Sequence, residues 1–260
     1  MSRLRRGLAI QGRNIRALMV RDMMMRYGRG NIGFVWIVLE PMLLTVGVMV
    51  VWSYTIGPQK QGVKLVELVL TGYMMLTLWR HVTNSAITIF RRSSGLLYHR
   101  TISLFDILLA RGSLEFVATA TAFLVVWGTL YLAGLVGPVE RYDLLFAGWI
   151  MMGGLALACS AVIAAVTEWS EAAERIIQPL QYISLPVSGA FFMVDWLPTW
   201  AQKAVLLNPM VHCYETFRAG YFGHQVVSHY DFGYFAVWLF GLTFVGVVSV
   251  RLVRDRVALS

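Results

Sequence analysis

Asp22 and Glu40 stand in a segment, RDMMMRYGRGNIGFVWIVLEP (21–41), that otherwise reads as membrane-associated. Charge in such a run is costly and normally turns to a bundle interior or a wet cavity, so each carboxylate asks for a partner. Arg26 follows Asp22 at i, i+4 with the acid first, the favourable order for a helical pair. For Glu40 the expectation is a structural or gating ion pair inside the bundle, with Arg80 as its partner. Arg80 belongs to a stripe of Tyr73, Thr77, Arg80, Asn84, Thr88 and Arg91 that recurs at helical spacing. The chemistry these groups offer is electrostatic and hydrogen-bonding rather than covalent. The sequence holds no G-x-x-x-x-G-K-[ST], H-E-x-x-H, G-x-S-x-G or C-x-x-C. The histidines (81, 99, 212, 224, 229) are scattered, and His212 with Glu215 makes one helical turn without a third ligand. No catalytic residue, metal site or cofactor bound by this chain is expected.

The elements that must position these groups are membrane helices. Of 260 residues, 58% are hydrophobic and 14% charged, far more apolar than a soluble domain. Several runs reach the roughly 20 apolar residues that cross a bilayer, so the fold class expected is an all-α integral membrane protein. The net charge of +8 sits at the ends of these runs rather than in one soluble patch, which argues against nucleic acid as a partner. Cys159 lies in an apolar run and Cys213 in a polar-flanked loop, so the two are not expected to pair. The basic N-terminus lacks the apolar core and cleavage site of a signal peptide, and none is expected.

Residues 4–25 fit a helix lying on the membrane. Leu4, Leu8, Ile15, Leu18, Met19 and Met25 share one face, with Arg6, Arg13 and Arg16 opposite. Asp22 and Arg26 fall on the apolar face, so that face is expected to dock on protein as well as lipid. Gly28, Gly30 and Gly33 then allow a bend. Six spans are expected: about 32–56 with a kink at Pro41, from 65 onward through the polar stripe, 112–135, 144–167, 176–192 and 232–253. The fourth carries Gly153, Gly154, Ala156, Ala158 and Ser160, a face suited to close packing. The fifth carries Gln178, Pro179, Gln181, Ser184, Pro186 and Ser188, a load that fits a cavity wall rather than lipid.

Between the second and third spans, residues 91–111 read as a loop with a short amphipathic helix near 96–100 or 104–109. EWSEAAER (168–175) reads as a tight charged link. Residues 193–231 read as a re-entrant pair of half-helices, about 200–207 and 211–222, divided by Asn208-Pro209. Trp196, Trp200, Tyr214, Tyr221 and Phe222 are expected there at headgroup level. The chain thus divides into an amphipathic interface helix (1–31), a transmembrane domain (32–253) and a tail (254–260). Sixteen Lys and Arg residues fall on the side of the N-terminus and five, Arg218 among them, on the other. Cytoplasmic loops carry the excess, so both termini are expected in the cytoplasm.

Three blocks together resemble the membrane subunit of a type-2 ABC exporter, more narrowly a capsular polysaccharide export permease. They are residues 21–41, the basic loop 91–111, and WLPTWAQKAVLLNPMVHCYETFRAGYF (196–222). O-antigen and teichoic-acid exporters resemble the first block too; Glu40-Pro41 and NPMVHCYETFRAGYF favour the capsule group.

The resemblance implies a bacterial inner-membrane location, a second copy of the chain, and two separate ATP-binding subunits that would hold ATP and Mg. It also implies periplasmic and outer-membrane polysaccharide export proteins as partners. The N-terminal helix and the 91–111 loop would meet the ATPase, with Leu96, Leu97, Tyr98, His99 and Arg100 as the coupling segment. The pore would lie between the two permeases. A bulky hydroxylated polymer must slide rather than be occluded, which favours aromatic faces that contact sugar rings without fixing them. Trp36, Trp52, Tyr54, Tyr73, Trp79, Tyr182, Phe191 and Phe192 are the conduit candidates. Precursors of this group are typically acidic and end in a phosphorylated lipid, a task for Arg26, Arg29, Arg80, Arg91 and Arg92 at the entrance. The simpler account pairs Arg26 with Asp22 and Arg80 with Glu40. A membrane-embedded acyl or glycosyl transferase would need a reactive constellation, and the sequence offers none. A scaffold would not need so polar a fifth span.

Overall fold

Tyr142–Trp169 is the post around which the helices are arranged, in a computed structural model that describes residues 3–27, 39, 43, 46–48, 50–51, 59–60, 62–97 and 102–257. The elements in order are α1 (Arg3–Tyr27), a two-residue ribbon β1 (Gln59–Lys60) and β2 (Val63–Lys64), α2 (Leu65–Ser85), α3 (Ile89–Arg92), α4 (Ser94–Leu97), α5 (Leu104–Leu132), α6 (Tyr142–Trp169), α7 (Glu171–Ser184), α8 (Thr199–Val205), α9 (Pro209–Phe222) and α10 (Phe232–Val257). Short 3₁₀ turns occupy Leu185–Val187, Val194–Trp196 and Gly223–Gln225. The ribbon is antiparallel, with Gln59 opposite Lys64 and Lys60 opposite Val63. Among the described residues three helices are long and apolar enough to cross a membrane: Leu104–Leu132, Tyr142–Trp169 and Phe232–Arg254.

Small residues let α9 and α10 close on α6. A Cβ on Gly148 would stand 2.5 Å from the Phe217 backbone nitrogen, and one on Gly220 would stand 2.2 Å from that of Leu145. At the other end of α6, a Cβ on Gly246 would meet the Ala161 Cβ at 2.8 Å. Backbones this close gain dispersion contacts where lipid supplies no hydrophobic drive between helices. Two apolar clusters result. One joins Met74, Met75, Leu78, Phe123, Trp149, Met152, Tyr214 and Phe217. The other joins Leu18 to Phe90, Leu104, Ile107, Leu108, Val250 and Val253, and so ties α1 to the ends of α5 and α10.

Several boundaries differ from the sequence expectation, each for a local reason. The third long helix starts at Leu104 rather than near 112, because Ser103 and Asp106 form a capping box: each side chain accepts the other's backbone N–H, at 3.1 and 3.0 Å. The alternative 104–109 helix is therefore the first turns of α5, and Arg111 is a helical residue. A short helix of the loop is described over Ser94–Leu97, and residues 98–100 of the expected 96–100 helix lie outside the described residues. The charged link 168–175 shrinks to Ser170, since α6 runs to Trp169 and α7 begins at Glu171. The helix of the fifth expected span ends at Ser184, well before 192. Pro186 cannot donate to the helical ladder, and Gly189 takes φ +95. The first expected span, 32–56, lies largely outside the described residues.

Candidate functional site

The polar stripe of α2 faces α7. Arg80 donates from Nη2 to the Tyr182 hydroxyl at 2.9 Å, with its guanidinium carbon 4.9 Å from the Tyr182 ring centre. One turn on, Gln181 donates to the Thr83 hydroxyl at 3.1 Å. Past the end of α2, Thr88 takes a left-handed φ of 55, rare for a β-branched residue, and its backbone N–H donates to the Thr167 hydroxyl. That turn brings Arg91 to the end of α6, where it donates to the Thr167 carbonyl at 2.5 Å and lies 3.8 Å from Glu168 and 3.7 Å from Glu174. Side chains that would be costly against lipid thus meet one another across the α2–α7 seam.

The conduit candidates distribute unevenly over this seam. Tyr182 is exposed, while Tyr73, Trp79, Phe191 and Phe192 are half-buried. Trp79 and Phe191 pack against the larger apolar cluster, and Tyr73 and Phe191 share a narrow seam with Val48. Trp36, Trp52, Tyr54, Arg29 and Glu40 lie outside the described residues, as do Tyr98, His99 and Arg100 and the side chains of Arg26 and Leu97. Leu96 is half-buried against the smaller apolar cluster, and Arg92 is exposed. The described partner of Arg80 is Tyr182 of α7, and the expected pair with Glu40 lies outside the described residues.

Asp22 reaches further than the sequence suggested. Its carboxylate takes Arg21 at 2.6 Å and Arg111 of α5 at 3.3 Å, while the i, i+4 pair expected with Arg26 rests on a side chain outside the described residues. Arg111 in turn lies 3.8 Å from Glu115, whose other oxygen is 3.6 Å from His81 of α2.

The segment after α7 is held by a helix whose polar residues the sequence reading left without roles. Asn208 caps α9 by accepting from the Met210 N–H, and Pro209 sits at the first position, where its missing N–H costs nothing. His212, Glu215 and Arg218 then follow at every third residue and are all buried. Arg218, counted from sequence as an outer-loop charge, is 1% exposed. Its guanidinium donates to the carbonyls of Gly189 (2.7 Å), Ala190 (2.7 Å) and Phe192, and rests over the Tyr214 ring. Planar fork geometry suits this task, since one cation satisfies three carbonyls freed beyond the end of α7.

Glu215 accepts from the N–H of Val194 at 3.1 Å and of His229 at 2.8 Å. His212 accepts from the Asp231 N–H through Nδ1 at 3.0 Å. Its Nε2 therefore carries the proton and donates to the Leu206 carbonyl at 2.9 Å. Asp231 accepts the Tyr234 N–H at the start of α10, which holds its carboxyl below the usual range.

The two short helices expected in 193–231 are thus present as α8 and α9. The expected headgroup aromatics are not all at a surface. Trp200 is 74% exposed, but Tyr214, Tyr221 and Phe222 are buried, because α9 packs into the bundle against α6. The signal available in the sequence was the triplet spacing of His212, Glu215 and Arg218 among apolar neighbours.

A family model described as ABC-2 type transporter matches residues 13–222. The chain is 35% identical over 247 residues to the capsule polysaccharide export inner-membrane protein BexB of Haemophilus influenzae, covering 95% of this chain and 93% of that one. It is 36% identical over 248 residues to the capsule polysaccharide export inner-membrane protein CtrC of Neisseria meningitidis serogroup B, covering 93% of each. It is also 21% identical over 260 residues to the polysialic acid transport protein KpsM of Escherichia coli, covering 98% of this chain and 99% of that one. With its matched region spanning α1 to α9 and its kinship running nearly end to end, the chain belongs to the ABC-2 type transporter family, among the capsule polysaccharide export inner-membrane proteins.

Proposed function

We propose that this chain is the membrane permease of an ATP-driven exporter that carries capsular polysaccharide across the bacterial inner membrane. The observation that carries the proposal is its near end-to-end kinship with two capsule export proteins. The α2–α7 seam supports it, because hydroxyls, amides and a stacked arginine suit a hydrated polymer better than a lipid contact. ATP and Mg belong to a separate subunit. A second permease and two ATPase subunits complete the transporter, with the conduit between the permeases. Helix α7 buries none of its residues and leaves Ile176, Leu180 and Ile183 exposed, as is Val187 in the turn that follows. That face fits the second permease.

In this reading both termini are cytoplasmic, the described helices and the 32–56 segment make six spans, and α8 and α9 form the re-entrant pair on the periplasmic side. Helix α1 and the 91–103 region meet the ATPase. Periplasmic and outer-membrane export proteins receive the polymer, which enters with its lipid end past the cytoplasmic arginines. Deleting the gene and locating the polymer tests the reading. Polymer made in normal amount but retained inside supports export. Loss of synthesis points instead to a transferase.

A further inference from the structure

Asp22, Arg111, Glu115 and His81 make a continuous line of ionisable side chains from the surface helix into the bundle. The contacts are 3.3 Å from Asp22 to Arg111, 3.8 Å from Arg111 to Glu115, and 3.6 Å from Glu115 to His81. The four groups stand on three helices, α1, α5 and α2, with Arg111 and Glu115 one turn apart on α5. Side-chain exposure falls from 28% at Arg111 to 2% at Glu115. A carboxylate so deep is costly unless paired. Arg111 is shared with a carboxylate on the surface helix, so a shift of α1 draws on a cation that also serves Glu115.

Slippage is restricted at the outer end. Leu18, one turn before Asp22, is buried among Leu104, Ile107 and Leu108 of α5. An apolar contact and a charge therefore fasten α1 to α5 at successive turns. At the inner end His81 adjoins Arg80, which lies on Tyr182 of the candidate wall.

We infer that this line couples the surface helix to the wall: displacement of α1 is passed through Asp22, Arg111 and Glu115 to α2, where it sets the position of Arg80. The inference rests on the permease reading above and deepens it. Asp22, Arg111 and Glu115 are positioning residues that touch no substrate. A route of this kind requires that its ends bias each other, so the decisive observation is non-additivity.

The test uses the complete transporter, in the encapsulated strain and as purified complex, with Asp22→Asn, Glu115→Gln, the double variant and Asp22→Glu. The expected result is membrane abundance near wild type and ATP hydrolysis within about twofold of wild type. Surface polymer falls at least about tenfold in each neutral single variant, within the usual range of coupling effects. Asp22→Glu restores most of the export, and the double variant is no worse than Glu115→Gln. If Glu115→Gln fails to accumulate, Asp22→Asn alone decides through the same two readouts. Unchanged export, a parallel loss of export and hydrolysis, or a double variant that multiplies the single losses overturns the inference. A wild-type complex that exports no polymer overturns the permease reading itself, and is seen before any variant is compared.

Discussion

Arg218 of α9 donates to the carbonyl of Gly189, 2.7 Å away, where the chain has left α7 and cannot bond within it. Ala190 and Phe192 give their carbonyls to the same guanidinium. The chain beyond α7 thus hands its backbone to a cation on another element. Each buried carbonyl left without a donor costs about 1–3 kcal/mol. Arg218→Met removes all of these donors and is expected to deplete the folded chain from the membrane. Arg218→Lys keeps the charge but loses the fork, so it should accumulate with a lower thermal midpoint in detergent. Equal midpoints for Arg218→Lys and wild type would count against the clamp.

Tyr182 separates stacking from hydrogen bonding. Its hydroxyl accepts from Arg80 while its ring lies against the guanidinium. Tyr182→Phe keeps the stack, worth roughly 0.5–1 kcal/mol at so exposed a site, and should lower surface polymer only modestly. Tyr182→Ala removes both contacts and should lower it further, as should Arg80→Ala. Quantifying surface polymer at equal permease abundance checks the order, and a Phe variant as poor as the Ala variant would place the requirement on the hydroxyl.

Glycines of the central helix offer an internal control. A methyl group on Gly148 runs into the Phe217 backbone, which cannot rotate aside, whereas one on Gly154 meets Leu239 Cδ1 at an ordinary 3.6 Å. Gly148→Ala should destabilise by about 1–3 kcal/mol, with Gly154→Ala near neutral. Thermal unfolding of the two variants in one detergent makes the comparison. Similar midpoints would mean that α6 and α9 can separate without penalty.

Periodicity and composition were enough to read the helical class, the three membrane-length helices seen among the described residues and the small-residue face of α6, because these follow from local pattern. Ends of helices were less legible. The start of α5 lay in the Ser103–Asp106 pair, and the end of α7 in Pro186 and Gly189, local signals that the apolar-run criterion ignores. Partners were least legible of all. Arg111 lies 89 residues from Asp22 and Tyr182 lies 102 from Arg80, separations over which local spacing carries no signal. Arg218 was counted by sign and side of the membrane, a tally that treats a buried cation like an exposed one. The triplet of His212, Glu215 and Arg218 needed the fold to show that one face of α9 gathers the backbone of both neighbouring segments.

His212 gives the sharpest test of that gathering, because its two ring nitrogens do opposite jobs. Nδ1 accepts the N–H of Asp231, just ahead of α10, and Nε2 donates to the carbonyl of Leu206, between α8 and α9. An asparagine amide reaches about as far as Nδ1, and a glutamine amide about as far as Nε2. His212→Asn should therefore keep the tie to α10 and release the α8–α9 turn, while His212→Gln should do the reverse. His212→Ala loses both bonds, each worth about 1 kcal/mol. Proteolysis of membrane vesicles with the periplasmic face exposed reads the difference. Faster cleavage is expected near Leu206 in the Asn variant and near Asp231 in the Gln variant, with both sites opened in the Ala variant. If all three variants are cut alike, the imidazole is not acting as two separate ties, and the packing of its ring against Tyr234 would carry the contact instead.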